Sequence, residues 1–486
     1  MTHILKSLYS LYFHIKVIIV LMFFLGCSSD PSSEDVITTL NVILSIDGQG
    51  SVTPETAAYD LNSVVLFEAT PAPGYYFDRW VGFDENVETE QYEILLTRDL
   101  TLTAVFLPIP DLSDEVVLFN PKKIDPNPVF MIENGGTTAY LTSKTGERLK
   151  TWNFDSKLGN DLELMPDGSV IGIFKPETVS FSFGGYGGIL KQFDADGALI
   201  WEYEVNTETE LLHHDFEVLP NGNILTLVWE RFSEEEATTL GFDGTGPIYL
   251  EKLIELVPGT NTIVWEWRSV DHLIQDFDAA ASNFGIVADH PEKIDLNYYE
   301  NENGDLMHAN GLFYDPVREV IFVSVNFYSE VWVVPHQFDT TTSQTESGDL
   351  SFRFGNPSTY DGAGERLFYN NHHPSLVTLD SETLDRFLIY MNGSQDEQSK
   401  VYEFILPSTF DSDPLNWVTP EVVWSFTDPD LFFGKISGTY RLSNGNTLIC
   451  EGDFGYWEVN RQGEVVWKYS GGTTFWRGYV YPEYTP

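Results

Sequence analysis

Basic residues are scarce in this chain: 26 Lys and Arg stand against 74 Asp and Glu, a formal net charge of -48. So acidic a surface repels phosphate backbones, which excludes nucleic acid as a partner and leaves any anionic ligand dependent on a local, shielded site. Cysteine is almost missing, with only Cys27 and Cys450 present. No disulfide framework can therefore organise the fold, and a chain this long can bury a sufficient core without one. Cys450 lies in the apolar run Thr447-Leu448-Ile449-Cys450 and reads as a small buried residue rather than a reactive thiol. No stretch has the spacing of an EF-hand, so the acidic loops read as solvated surface. There is also no phosphate-cradling glycine loop with a lysine, and no cofactor is called for. The apolar run Val17 to Leu25 is too short to span a bilayer.

Histidine is absent from most of the chain but crowded in its centre. Of ten, His3 and His14 precede residue 26; the other eight all fall between His213 and His373. Two pairs occur, in His213-His214-Asp215 and Asn371-His372-His373. Imidazole serves near neutral pH as nucleophile, general base or metal ligand, so this crowd points to a chemical site. His272 and His290, in Asp-His runs beside apolar residues, read as loop-fixing hydrogen bonders, and His336 after Pro335 as structural. Three converging imidazoles would also suit zinc or copper, which is the metal-binding alternative.

The N-terminus reads as an address. Lys6 and Lys16 flank the apolar run, and Phe24-Leu25-Gly26-Cys27 resembles a bacterial lipobox. Residues 1–26 are then a cleaved signal, Cys27 the lipidated first residue, and 27–37 a polar tether. Ser28, rather than Asp, after the cysteine implies an outer-membrane lipoprotein, facing either the periplasm or the cell surface, with the lipid as its only membrane contact.

Alternating apolar runs at Leu40–Ile46, Val64–Ala69, Tyr92–Leu96 and Leu100–Phe106 predict a small β module over 38–107. Its Gly50-Ser51-Val52-Thr53-Pro54, Gly74 to Trp80 and Thr103-Ala104-Val105-Phe106 together resemble the internalin B-repeat, a spacer or adhesion module in which Trp80 would be core. From 111 to 486 a unit recurs: a glycine turn, then an apolar stretch around Trp152, Trp201, Trp265, Trp332, Trp424 and Trp467. A second motif, Asn-Gly-Asn before an apolar strand, occurs at Asn221–Asn223 and Asn444–Asn446, with Asp167-Gly168 as a cousin. Such periodic aromatic and glycine signals predict an all-β chain with a six-bladed β-propeller, in preference to an array of sandwiches.

Several stretches, taken in order, resemble the bacterial arylsulfate sulfotransferase family. They include His213-His214-Asp215-Phe216-Glu217, Ile263-Val264-Trp265-Glu266-Trp267, His308-Ala309-Asn310-Gly311, Asn371-His372-His373-Pro374 and Asn444 to Gly452. The likeness runs from about Ala139 to Tyr481. It implies a six-bladed propeller that moves a sulfuryl group from an aryl sulfate to a phenol without the nucleotide sulfate donor, through a sulfohistidine. A covalent intermediate of this kind divides one difficult transfer into two easier ones. Carried over by position, His372 matches the nucleophile, with His373 open as the alternative through a one-residue slip. His308 and Asn310 match the groups that contact the sulfuryl oxygens, and His214 the remaining site histidine. Eighteen residues past His308 the resembled enzymes carry arginine, whereas this chain has Asn326, which brings no positive charge. Arg477 could compensate if the last strand closes near the centre. The partners implied are small aryl sulfates and phenols, and a homodimer is left open. The rival readings are a non-catalytic binding propeller and an aryl sulfate hydrolase.

Overall fold

The computed structural model describes residues 38–377, 385–482 and 484. The expected signal (1–26) and tether (27–37), with Cys27, lie outside the described residues. The chain divides after Pro108 into two units.

The first unit is two small sheets. Thr39–Asp47, Ala57–Asp60, Tyr75–Val81 and Leu100–Pro108 form one; Gly50–Thr53, Val64–Pro71 and Gln91–Leu95 form the other. Alternation along these strands sends every second residue inward, and Val42, Phe67, Leu102 and Ala104 are fully buried. Trp80 is part of that core, edge-on to Phe67 with ring centres 6.1 Å apart.

The second unit is a six-bladed propeller. Blade 2 runs outward from Leu158–Leu164 through Val170–Phe174 and Ile189–Phe193 to Leu199–Glu204. Blade 3 starts at Glu210–Val218, blade 4 at Ala309–Asp315, blade 5 at Asn371–Leu376 and blade 6 at Gly438–Arg441. Blade 1 joins the two ends of the domain: Phe475–Val480 is its innermost strand, paired antiparallel with Val129–Glu133. The six innermost strands pack on one another as a closed ring.

The repeated motifs have positional meaning in this frame. Trp152, Trp201, Trp265, Trp424 and Trp467 all sit on the fourth strand of a four-stranded blade core, the last four of them next to a break in register with the strand inside it and Trp152 two residues from one. Trp332 is different. It lies on Glu330–Pro335, the third strand of blade 4, whose fourth strand is only Phe352–Phe354. The Asn-Gly-Asn copies form the hairpin between the first two strands of blades 3 and 6. The glycine takes a left-handed φ of +82° or +86°, and the leading Asn side chain accepts from the backbone N–H two residues on.

Candidate functional site at the propeller axis

Alternation would let an inner strand present one side chain in two to the axis. Five of these strands avoid that limit with a break in register: between Leu158 and Leu162, His213 and Phe216, Ala309 and Gly311, His372 and Ser375, and Phe475 and Gly478. A β-bulge of this kind re-aims side chains and is common next to active sites. His214, His308 and His373 take left-handed φ values of +54°, +55° and +55°. Non-glycine residues in this region cost about 1–3 kcal/mol each and mark positions the surrounding structure over-determines.

Three of the imidazoles share one arrangement: each ring is gripped at Nδ1, and among the described residues none has a hydrogen-bond partner at Nε2. His214 Nδ1 lies 2.8 Å from His213 Nδ1. His308 Nδ1 lies 2.5 Å from Asp305 Oδ2. His372 Nδ1 lies 2.5 Å from Asn392 Oδ1. The orientation of Asn392 is decided by its other end, where the Nδ2 group faces the carbonyls of Phe433, Lys435 and Ile436 at 2.8, 3.1 and 2.8 Å. Oδ1 must therefore accept from His372 Nδ1–H, which leaves the lone pair of His372 on Nε2.

The rings come together. His214 and His308 meet edge to face with centres 4.7 Å apart, and Trp476 flanks both His214, at 6.0 Å, and His372, at 6.4 Å. Burial holds the His372 imidazole down to about 3; the Asn392 bond works against this, and the charges of Arg477 and His308 add to it. His372 is thus a neutral base at neutral pH. Burial pushes His214 well down too, helped by its neighbours His308, His213, His372 and Arg477. His308 goes the other way. Burial opposes its cation, but the Asp305 carboxylate and hydrogen bond, with Glu251 behind, raise it above the ordinary histidine value. The axis therefore holds two neutral imidazoles and one that favours the imidazolium.

His373 is committed elsewhere: its Nδ1 accepts the Thr439 backbone N–H at 3.0 Å, and its ring stands edge-on to Tyr479. Asn310 donates through Nδ2 to the Asn371 carbonyl at 2.7 Å, while its buried Oδ1 has no hydrogen-bond partner among the described residues. Asn326 sits beside it, its Nδ2 3.3 Å from the same carbonyl and its Oδ1 accepting from Asn370. Arg477 does reach the axis, because the last strand is innermost there. Its charge is matched by Asp161 at 3.0 Å and Asp215 at 2.8 Å, and Nη2 donates to the Asn310 carbonyl. One guanidinium thus ties blades 1, 2, 3 and 4 together.

His272, His290 and His336 lie outside this group, on Asp349, Glu292 and Glu255 respectively. Among the described residues no three His, Cys, Asp or Glu side chains form a metal-holding group. A cleft of about 1220 Å³ opens elsewhere, among Phe313, Arg318, Asp349, Phe410 and Trp417.

Sequence reasoning missed the residues that hold the rings. Asp305 was legible as Asp-x-x-His; Asn392, Glu251 and Trp476 carried no local signal. Gly185 was also missed. A Cβ there would stand 1.9 Å from His214 Nε2 and 2.3 Å from each flanking ring carbon. These equal distances place Gly185 over the ring face, leaving the in-plane lone-pair direction of Nε2 clear.

Fold and centre together define a β-propeller whose axial chamber is lined by imidazoles. A family model described as arylsulfotransferase (ASST) matches residues 109–470, and one described as a divergent InlB B-repeat domain matches residues 40–110. The chain belongs to the arylsulfotransferase family. No curated protein matches it. Solved structures similar to it include a protein of unknown function from Bacteroides caccae, at 11% identity and a TM-score of 0.42, covering 73% of this chain and 98% of that one. Another, from Desulfotomaculum acetoxidans, has 12% identity and a TM-score of 0.38, with 73% and 98% covered. The Cps50 (Swd1) β-propeller domain of Myceliophthora thermophila has 11% identity and a TM-score of 0.34, with 75% and 88% covered.

Proposed function

We propose that this protein transfers a sulfuryl group from an aryl sulfate to a phenol, with His372 Nε2 as nucleophile. The observation that carries this reading is the set of three imidazoles held at Nδ1 and open at Nε2, one of them paired with a carboxylate that favours its cation. A nucleophile must be unprotonated, and His372 is neutral well into acid. His372 Nε2 attacks sulfur, the S–O bond to the phenol breaks, and the pair leaves on the phenolic oxygen. The His308 imidazolium supplies the positive charge that Asn326 does not, stabilising oxygens on which charge develops. Phe327, stacked on His308 with centres 4.6 Å apart, and Tyr299, stacked on Phe327, offer a partly exposed platform for an aryl ring. In this reading Arg477 braces the chamber and does not bind sulfate. His373 is set aside as nucleophile because its Nδ1 already accepts a backbone N–H. Anchoring through Cys27 at the outer membrane belongs to the same proposal, on the lipobox alone.

The test is intact-mass analysis of the chain lacking residues 1–27, incubated with a chromogenic aryl sulfate with and without phenol. The expected result is a sulfuryl adduct in wild type and His373→Ala but not in His372→Ala, discharged by phenol. Release of product without phenol dependence would assign hydrolysis. No release and no adduct across several donors would leave a binding propeller, the reading that the uncharged Asn326 favours.

A further inference from the structure

Behind His214 lies a buried line of polar groups that the transfer chemistry above does not use. His213 is fully buried and stacked flat on Trp229, ring centres 3.8 Å apart and planes 8° apart. Its Nδ1 faces His214 Nδ1 at 2.8 Å, and its Nε2 lies 3.0 Å from Glu251 Oε2. Among the described residues neither His213 Nε2 nor Glu251 Oε2 makes any aligned hydrogen bond to another group. The other carboxyl oxygen, Oε1, accepts the Ala309 backbone N–H at 2.7 Å, so the direction in which Oε2 points is set. Two buried polar atoms left facing each other are costly unless a proton joins them.

With both imidazoles neutral, the order of atoms allows only two arrangements. With Glu251 ionised, His213 carries its proton on Nε2, its Nδ1 accepts from His214 Nδ1–H, and His214 Nε2 is bare. With Glu251 protonated, its O–H meets His213 Nε2, His213 Nδ1–H donates to His214 Nδ1, and His214 Nε2 carries the proton. The tautomer that His214 presents to the axis is therefore tied to the charge of a carboxyl group two rings away.

We propose that Glu251, His213 and His214 form a proton relay that takes the hydroxyl proton of the acceptor phenol and returns one to the departing phenol of the donor. The proposal rests on the transferase reading of the axial site. The steps balance. As the acceptor oxygen attacks sulfur, its proton goes to His214 Nε2, the His214 Nδ1 proton passes to His213 Nδ1, and the His213 Nε2 proton passes to Glu251 Oε2. The S–N bond breaks and its electron pair returns to His372 Nε2. The donor half reverses the proton steps. In each half-reaction each of the two rings gains one proton at one nitrogen and loses one at the other, so neither is left a cation beside His308. Burial supports this division of labour, since it disfavours charge on both His213 and His214 and favours a neutral Glu251. The titratable and charged groups facing the relay are His308, Asp305, His372 and Arg477, and Trp229 lies beside Glu251 without an aligned hydrogen bond from its Nε1. His213 and Glu251 are positioning residues in this scheme, since only His214 faces the axis.

Glu251→Gln is the discriminating variant. Its amide oxygen keeps the Ala309 bond, and its NH₂ must then donate to His213 Nε2, which locks His214 with the proton on Nε2. Nitrogen-15 spectra of the resting, substrate-free chain read this directly. In wild type His214 should pass from Nε2–H to Nδ1–H as pH rises, and in Glu251→Gln it should stay Nε2–H throughout. kcat should fall by about 100-fold in the variant, the scale of lost acid–base assistance, with KM little changed. A His214 tautomer that is independent of pH in wild type, or that titrates identically in Glu251→Gln, would overturn the relay. Because the spectra need no substrate, they decide it even for a chain that forms no sulfuryl adduct.

Discussion

Replacing Asp305 with Asn separates the charge of His308 from its orientation. The Asn side-chain oxygen can still accept from His308 Nδ1–H, so the ring stays in place, but the carboxylate 2.5 Å away is gone. At an effective dielectric near 20, one charge at about 4 Å is worth about 4 kcal/mol to the imidazolium, and roughly 1.4 kcal/mol is tenfold in population, so up to about a 10³-fold loss of the cation follows. The sign is definite. A histidine raised by its partner holds its proton at low pH and loses it as pH rises through the folded value, so the wild-type rate should fall on the alkaline side. The acid side should stay flat, because His372 remains neutral down to about 3. In Asp305→Asn, burial is left to act without the carboxylate, and the alkaline fall should move to lower pH. Steady-state kcat/KM for a chromogenic aryl sulfate between pH 5 and 9 reads this, with circular dichroism as the check on folding. Superimposable profiles for the two proteins would refute the role given to the His308 charge.

Arg477→Met should cost about 3–5 kcal/mol in urea unfolding followed by tryptophan fluorescence, since it strands two buried carboxylates, whereas Asp161→Asn leaves Arg477 paired with Asp215 and should cost less. The Arg477→Met deficit should shrink in acid as the stranded carboxylates take up protons. Gly185→Ala places a methyl against the His214 ring face on a backbone at φ +76°, and an imidazole displaced by about 1 Å should lower kcat by about 100-fold at unchanged far-ultraviolet dichroism. Glu217, pushed up to about 8 by burial against its Tyr314 backbone bond, contributes stability that is full below about pH 4.5 and is lost as pH rises through 8. Glu217→Gln should therefore unfold at higher urea than wild type at pH 9, by on the order of 1–3 kcal/mol, and lose that advantage at pH 5.

Much of the architecture was legible because its cause is local. Alternation and glycine turns are properties of short stretches, and five of the six blades carry a tryptophan on the fourth strand. Trp332 shows the limit of that reading: an apolar strand around a tryptophan looks the same in third place as in fourth, and only pairing tells them apart. Within the site, the motifs around His214, His308 and His372 were visible as motifs, and Asp305 was visible as a neighbour. Asn392 was not, because it meets His372 across 20 residues through a strand pairing.

The sequence alone determined the class of fold, the two-unit organisation and the short list of residues able to do chemistry, since composition, period and residue type are already properties of the chain. Only the tertiary structure decided what each of those residues is. His372 and His373 are adjacent and chemically identical, yet a bulge sends one toward Asn392 with Nε2 open and the other onto a backbone N–H. Arg477 and its two aspartates are separated by more than 250 residues, and ring closure makes them a brace. Protonation follows from burial and from the nearest charge, and neither exists until the six inner strands have closed around the axis.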